Sequence, residues 1–186
     1  MAMQSRMVEL GTPAPSFRLP DPVSGKVVAL EDFASSTALL VAFICNHCPY
    51  VKHILNGLVS FANDYRPRGL TVIAISSNDV AHYPADSPAE MAKLSRERGF
   101  AFPYLYDESQ AAAHAYDAAC TPDFYLFDRN RLLAYRGQFD GSRPNSKVPV
   151  TGGDLRAAAD AVLVGQAVSI AQIPSVGCGI KWKTGS

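Results

Sequence analysis

One short stretch constrains the fold of this chain most: an almost continuously apolar segment that ends in a Cys-x-x-Cys motif. The segment, residues 37–43, is predicted to be a strand buried on both faces, and the motif follows at Cys45 and Cys48. A helix is predicted next, up to Arg66-Pro67, because apolar residues recur with a 3.6-residue period at Val51, Ile54, Leu55, Leu58, Val59, Ala62 and Tyr65. A strand, this motif and a helix in this order are typical of a redox-active thiol pair.

The position of each cysteine relative to the helix predicts a separate role for each. Cys45 is predicted to lie at the helix N-terminus, where unpaired N–H groups and the helix dipole favour a thiolate. We expect its pKa to fall from about 8.5 to roughly 3.5–7.5, which would make Cys45 the nucleophile. Cys48, one turn later and less exposed, is predicted to be the resolving thiol. A protonated or hydrogen-bonding His47 would stabilise the Cys45 thiolate and make the disulfide more oxidising.

Three other interpretations of the motif are a zinc site, a structural disulfide and a pair of inert cysteines. A closed structural zinc site needs four ligands, and the remaining candidates, His53, Cys120 and Cys178, lack the spacing of a zinc site. A structural disulfide here would close too small a ring to stabilise much of the chain. Two inert buried cysteines are a third reading of the same residues. We therefore expect no metal, and a metal-binding module that uses Cys45, Cys48 and a histidine is the non-enzymatic alternative.

Composition narrows the class of protein and its partners. The chain has 186 residues, which suits one domain over 1–186 with 166–186 as an extended C-terminal tail. The formal net charge is zero, so neither nucleic acid nor an anionic membrane surface is an expected partner. No signal-peptide core precedes the fold, and the longest apolar run, 38–45, is too short to span a bilayer, so we expect a cytoplasmic protein. No dinucleotide or phosphate-loop glycine pattern occurs, so no organic cofactor is expected.

The rest of the chain predicts alternating strands and helices. Residues 70–76 form the next apolar strand, which would complete a parallel strand–helix–strand unit. Ser87, Pro88 and Glu90 predict a helix start with a capping box. The remaining predicted elements are an N-terminal hairpin of strands 17–19 and 26–30, a strand over 104–106, a helix over 109–118, a hairpin of 124–127 and 132–136, and a last helix from 151 to Gly165.

A Thr-Pro pair before the second hairpin gives the chain a family resemblance. With the Cys-x-x-Cys motif upstream, Thr121-Pro122 resembles the thioredoxin fold. Further segments make the chain similar to peroxiredoxin-like redoxins of the alkyl hydroperoxide reductase/thiol-specific antioxidant (AhpC/TSA) superfamily: the N-terminal hairpin, 78–88, 120–128, 135–137 and the tail 175–183. The resemblance implies an α/β, thioredoxin-like fold, in which helices flank a central mixed sheet and an N-terminal β-hairpin is added.

The resemblance also implies how the residues around the motif act. Pro122 would be a cis proline facing the redox pair, and the backbone beside it would be free to pair with an incoming peptide or thiol partner. Thr121 and Cys120 would line that substrate-binding segment. The expected partner is a thiol or disulfide protein or a small thiol, and relatives of this kind often form homodimers.

The residues before Cys45 depart from the peroxide-reducing members of that group. True peroxiredoxins carry a Pro-x-x-x-Thr/Ser-x-x-Cys motif, whereas residues 41–44 here are Val-Ala-Phe-Ile, without proline or hydroxyl at those spacings. We therefore predict a thiol-disulfide oxidoreductase in which Cys45 attacks and Cys48 resolves. A thiol peroxidase that uses Cys45 is the alternative enzyme.

Three further residues have more than one interpretation. Arg136 is either a cation near the thiolate, as in peroxiredoxins, or a solvent-exposed arginine on a hairpin. Cys120 is a third redox thiol, a small residue lining the site or a packed, inert cysteine. Cys178 traps a mixed disulfide or pairs with Cys120 if the tail folds back, and is otherwise a surface thiol.

Overall fold

The structure, a computed structural model, describes residues 2–184 and is built on a five-stranded mixed sheet. Residues 2–184 form the strands β1 (Ala2–Gln4), β2 (Arg18–Pro20), β3 (Val27–Ala29), β4 (Ala38–Phe43), β5 (Leu70–Ser76), β6 (Tyr104–Tyr106), β7 (Cys120–Thr121), β8 (Asp123–Phe127), β9 (Leu133–Gly137) and β10 (Val176–Gly179). The central sheet has the order β6-β5-β4-β8-β9. Strands β4, β5 and β6 are parallel, β8 pairs antiparallel with β4, and β9 pairs antiparallel with β8, so that β8 alone runs against the other four strands of this sheet.

Strand β4 lies in the middle of this sheet, and every one of its residues is buried. Its side chains alternate between two apolar clusters, as the pleat of a strand requires. Leu40 and Ala42 belong to the cluster that includes residues of the long helix after the motif. Leu39 and Val41 belong to the cluster on the other face, together with Phe17 of the N-terminal hairpin segment. Both faces are covered, which explains why the predicted strand has no polar alternation.

Four α-helices accompany the sheet within the described residues. They are α1 (Pro49–Tyr65), α2 (Pro88–Arg98), α3 (Ala111–Ala115) and α4 (Gly153–Leu163). Helix α2 begins with Pro88 in its first turn and ends at Gly99, whose φ of 64° is left-handed. The predicted capping box of α2 is wrong, because the side chain of Ser87 makes no capping hydrogen bond. Within residues 2–184, no helix is both long and apolar enough to cross a lipid bilayer.

A second, smaller sheet brings the C-terminal segment back to the middle of the chain. Its order is β1-β10-β7, and both of its pairings are antiparallel. Strand β10 thus lies directly against Cys120–Thr121, the segment that precedes Pro122. The predicted N-terminal hairpin is also present, formed by β2 and β3.

Candidate active site

The two motif cysteines lie in the connection between β4 and α1. Cys48 is the N-cap residue of α1, and Pro49 is the first residue of the helix. The prediction that Cys45 lies at the helix N-terminus is therefore wrong, because Pro49 delays the start of the helix until after the second cysteine. Both side chains are buried, with 1% of Cys45 and 0% of Cys48 exposed. A partner can reach either sulfur only if the residues that cover them move.

The two thiols titrate as one unit because they share a hydrogen bond. The hydrogen bond from Cys45 lowers the pKa of Cys48 to about 4, and further hydrogen bonds from Cys178 and the Val51 N–H act in the same direction against burial. The predicted fall in the pKa of Cys45 is wrong, because the hydrogen bond to Cys48, burial and the negative charge of Asp86 raise it. The pair therefore loses one proton easily and holds the second firmly. Near neutral pH it carries one thiolate and one thiol.

Thr121 contacts both sulfurs of the pair. Its hydroxyl lies 3.3 Å from the Cys45 Sγ, and this contact lowers the pKa of Cys45. Its carbonyl oxygen lies 3.1 Å from the Cys48 Sγ, where it accepts a hydrogen bond whenever Cys48 holds the shared proton. In that arrangement the Cys45 thiolate faces the Thr121 hydroxyl. The Thr121-Pro122 peptide bond is cis, in agreement with the family resemblance.

A buried carboxylate, Asp86, holds the two middle residues of the motif in place. It accepts hydrogen bonds from the backbone N–H groups of Asn46 at 2.7 Å and His47 at 3.2 Å. It also accepts hydrogen bonds from the His47 Nδ1 at 2.6 Å and the Asn78 Nδ2 at 2.8 Å. Its side chain is completely buried. Sequence reasoning missed Asp86, because an acidic residue after Pro84 is an ordinary turn residue and carries no motif.

His47 links the buried pair to the protein surface. Its Nδ1 lies 3.8 Å from the Cys45 Sγ and 2.6 Å from Asp86, so the stronger hydrogen bond is with the carboxylate. Its ring stacks on Tyr83, with 5.3 Å between the ring centroids. The side chain of His47 is 27% exposed and Tyr83 is 38% exposed. His47 is thus a partly exposed neighbour of Cys45, and Tyr83 lies behind it as a second exposed ring.

Three of these groups also form a cluster of metal-ligand type. One ligand atom from each of Cys45, His47 and Asp86 lies within 4.8 Å of the other two. Ligands at the usual zinc distances of roughly 2.0–2.3 Å would stand about 3.3–3.8 Å apart. The 2.6 Å between His47 and Asp86 is instead the length of a hydrogen bond. The arrangement fits a proton between these two groups better than it fits a metal ion.

Arg136 lies inside the protein and is paired with a carboxylate. Its side chain is completely buried, and its guanidinium binds both carboxylate oxygens of Asp123. It also lies over the ring of Tyr125, 4.0 Å from the centroid. The interpretation of Arg136 as a solvent-exposed hairpin residue is therefore wrong. Because Asp123 neutralises its charge locally, Arg136 is a weak candidate for a cation at the thiolate.

The two remaining cysteines occupy different surroundings. Cys120 is buried, its Sγ lies 3.7 Å from the Pro122 carbonyl oxygen, and burial followed by the charge of Asp123 raises its pKa. Cys178 lies on β10 opposite Thr121 and is partly exposed. It hydrogen-bonds with Cys48, and burial followed by this hydrogen bond raises the pKa of Cys178 to about 11. The tail therefore folds back, and Cys178 joins the motif pair in one cluster of thiols.

Comparison with known proteins identifies a family that this chain matches and two solved structures that it closely resembles. The sequence matches the AhpC/TSA family over residues 10–136. A comparison with curated proteins gives no significant match. An uncharacterized conserved protein from Geobacillus kaustophilus is 55% identical, with a TM-score of 0.98 over 100% of this chain and 98% of that one. A hypothetical protein from Sinorhizobium meliloti 1021 is 51% identical, with a TM-score of 0.96 over 98% of this chain and 99% of that one.

A more distant structure identifies the fold. A thiol:disulfide interchange protein of the thioredoxin family from Chlorobium tepidum is 18% identical and has a TM-score of 0.64. The match covers 84% of this chain and 99% of the other. It confirms the predicted thioredoxin-like fold, with its central mixed sheet flanked by helices.

Proposed function

Because the chain belongs to the AhpC/TSA family, we propose that it is a thiol-disulfide oxidoreductase that works through Cys45 and Cys48. The feature that supports this most directly is the opposed pKa shifts of the pair, since a lowered pKa of about 4 at Cys48 beside a raised one at Cys45 makes one of the two sulfurs a thiolate near neutral pH. The thiolate is the form of cysteine that attacks a disulfide. The two thiols are close enough to hydrogen-bond, so they are also neighbours for an internal disulfide.

Cys45 is the attacking residue in this proposal, and Cys48 resolves. With the shared proton on Cys48 and directed at the Thr121 carbonyl, the Cys45 thiolate attacks one sulfur of a partner disulfide. A bond forms between Cys45 and that sulfur, and the other partner sulfur leaves as a thiolate. Cys48 then gives up its proton to the first partner thiolate and attacks the Cys45 Sγ, so that the Cys45–Cys48 disulfide forms, the bond from Cys45 to the partner breaks and the second partner sulfur leaves as a thiolate. Two electrons pass from the pair to the partner disulfide.

The exposed rings beside Cys45 indicate where a partner would approach. His47 contacts Cys45 and Tyr83 stacks on His47, and both rings reach solvent, so a partner that contacts them can gain access to the buried sulfur. The partner class is a protein thiol or disulfide, or a small thiol. All four cysteines are free thiols, which is usual in a reducing compartment, and we propose a cytoplasmic location.

Disulfide-reductase activity tests this function. We expect the chain to reduce insulin disulfides with dithiothreitol as electron donor, and Cys45→Ser and Cys48→Ser to reduce that rate to background. Cys120→Ser is the matched control, because this thiol lies outside the shared hydrogen bond, and it should keep most of the activity. Equal rates in all four proteins would contradict the proposal.

The ionisation of the pair supplies a second test. The largest cause that lowers the pKa of Cys48 is the hydrogen bond from Cys45. In Cys45→Ala we therefore expect the pKa of Cys48 to rise from about 4 towards the ordinary cysteine value of about 8.5. The measurement is ultraviolet absorbance of the thiolate against pH, with Cys120→Ala as the control. An unchanged titration curve would show that the two thiols do not share a proton.

A thiol peroxidase is the second candidate, and family membership is the observation that favours it. This activity would form a sulfenic acid on Cys45, which Cys48 would condense to the same disulfide. Two features count against it: the residues before Cys45 lack the peroxide-activating motif, and Arg136 is paired with Asp123. Fast peroxide consumption together with slow insulin reduction would favour the peroxidase over the oxidoreductase.

A further inference from the structure

The C-terminal strand occupies the backbone edge that the family resemblance leaves open to a partner. Strand β10 pairs antiparallel with β7, so that Cys178 lies opposite Thr121 and Gly179 opposite Cys120. The approach is very close, because a Cβ atom on Gly177 would lie 1.9 Å from the Thr121 carbonyl oxygen. A peptide that bound here by strand addition would have to displace β10. The chain therefore presents its own cysteine at the position where a partner strand would pair.

Contacts on both sides of the strand hold it in this position. Strand β1 pairs along its outer edge, with Met3 opposite Gly177. Before the strand, the Ser5 N–H donates to the Ser175 carbonyl at 2.9 Å, and the Ser175 N–H donates to the Ser5 hydroxyl at 2.9 Å. After it, the Lys181 N–H donates to the Asn78 side chain at 2.8 Å. Cys178 is thus held at a fixed place beside the motif pair.

Cys178 differs from the motif cysteines in its exposure. It hydrogen-bonds with Cys48, whereas Cys45 contacts Cys48 and Thr121. Cys45 and Cys48 are 1% and 0% exposed, but Cys178 is partly open to solvent. Of the three cysteines in this cluster, Cys178 is therefore the one that is not fully buried, and it is the natural entry point for an external thiol.

We propose that Cys178 is a third exchange thiol, which takes over the disulfide from Cys45–Cys48 and presents it to an external thiol. The proposal rests on the function proposed above and adds the route by which the oxidised pair is reduced. The reductant is a thiol small enough to reach Cys178, or a protein thiol that docks beside β10.

The route consists of three thiol–disulfide exchange steps, in each of which one S–S bond forms and one breaks. The Cys178 thiolate attacks the Cys48 Sγ of the Cys45–Cys48 disulfide, so that a Cys48–Cys178 bond forms and Cys45 leaves as a thiolate. The proton lost by Cys178 is regained at Cys45, and no electrons are gained or lost. An external thiolate then attacks the Cys178 Sγ, and Cys48 leaves. A second external thiol resolves the mixed disulfide, which yields an external disulfide and three protein thiols, a reduction by two electrons.

The electrostatics of the cluster favour the attack by Cys178 in the first step and the departure of Cys48 in the second. In the reduced protein, burial raises the pKa of Cys178 most, and the hydrogen bond and the charge of Cys48 raise it further. Both contributions from Cys48 disappear when Cys48 enters a disulfide, while the positive charge of Lys181 still favours a thiolate at Cys178. In the second step the leaving group is Cys48, whose pKa is lowered, and a thiol of lower pKa leaves faster.

Disulfide mapping tests the predicted Cys48–Cys178 bond. Full-length protein is oxidised with oxidised glutathione, alkylated in acid and digested, and its disulfides are identified by mass spectrometry. We expect Cys45→Ser to contain a Cys48–Cys178 disulfide, and the original chain to contain both this bond and Cys45–Cys48. Cys120→Ser is the control and should give the same pattern as the original chain. A free Cys178 in both the original chain and Cys45→Ser overturns the proposal.

Reduction kinetics separate an exchange role from a structural one. Cys178→Ser keeps the size of the side chain and a hydrogen-bonding group, so it should fold and form the Cys45–Cys48 disulfide. We expect reduced glutathione to reduce this oxidised variant about tenfold more slowly than the original chain, because its buried disulfide must first become accessible. Equal rates overturn the proposal while leaving the proposed function intact. Failure of Cys178→Ser and of the original chain to form Cys45–Cys48 would instead contradict the proposed function.

Discussion

At the scale of single residues, Asp86 is the side chain on which the geometry of the motif depends. It accepts four hydrogen bonds in a fully buried position. An asparagine there would turn an N–H₂ group towards at least one of these donors. We expect Asp86→Asn to lower the free energy of unfolding by about 2–4 kcal/mol, measured by urea denaturation. Because the charge of Asp86 raises the pKa of Cys45, the same substitution should make the pair easier to ionise.

A surface carboxylate provides the control for this substitution. Asp64 pairs with Arg156 at 2.8 Å, but its side chain is about half exposed. Asp64→Asn should change the free energy of unfolding by roughly 0–1 kcal/mol and leave the thiol titration unchanged. Equal losses of stability in Asp64→Asn and Asp86→Asn would contradict the role given to Asp86.

The contrast between Asp86 and the motif residues shows what the sequence could predict at this scale. Cys45, Cys48 and Thr121-Pro122 have local signatures, and the structure brings these four residues together. Asp86 binds backbone N–H groups that lie 39 and 40 positions away, and no local pattern encodes such a contact. Arg136 shows the same limit, since its burial depends on its pairing with Asp123 across two strands.

At the scale of elements, periodicity predicted the regular strands and helices well. It predicted the start of helix α1 and the structure of the C-terminal segment less well. The strand 70–76 and the strand 104–106 have the predicted bounds, because buried apolar runs specify them directly. Helix α1 begins later than the motif suggested, since Pro49 occupies its first turn. The sequence predicted an extended C-terminal tail but did not predict β10, because its partners, β1 and β7, are distant in the chain.

The close approach of β10 to Thr121 leads to a prediction about Gly177. A Cβ atom there would meet the Thr121 backbone at 1.9 Å, and that backbone cannot move aside like a flexible side chain. We expect Gly177→Ala to lower the free energy of unfolding by about 1–3 kcal/mol or more, measured by urea denaturation. The same substitution should speed amide hydrogen exchange over β7 and β10, measured by mass spectrometry.

Gly179, on the same strand, is the matched control. A Cβ atom on Gly179 would lie 3.6 Å from the Met3 side chain, which is ordinary contact. Gly179→Ala should leave stability within about 0.5 kcal/mol or increase it slightly, because alanine restricts the unfolded chain. If both variants were equally stable, the close packing of β10 on β7 would not be required for the fold.

At the scale of the whole molecule, the shared proton makes the stability of the reduced protein depend on pH. The folded pair holds a thiolate with a pKa of about 4, and an unfolded cysteine has a pKa of about 8.5. Between these values the unfolded state binds more protons, so this contribution to stability grows as pH rises and is lost as pH falls towards about 4. Above about 8.5 both states are ionised at this site, and the contribution levels off.

A comparison of variants isolates this contribution from every other titrating group. The measurement is the free energy of unfolding of the reduced original chain minus that of Cys48→Ser, obtained by urea denaturation across the same pH range. In the variant Cys45 stays protonated, because burial and the charge of Asp86 still raise its pKa. We expect the difference to grow as pH rises from about 4 to about 8.5, with a slope of up to about 1.4 kcal/mol per pH unit.

The control is the corresponding difference for Cys120→Ser, which should be flat over this range, because burial keeps that thiol protonated in the folded state and an unfolded cysteine is also protonated there. A flat difference for Cys48→Ser as well would mean that folding does not stabilise a thiolate in the pair.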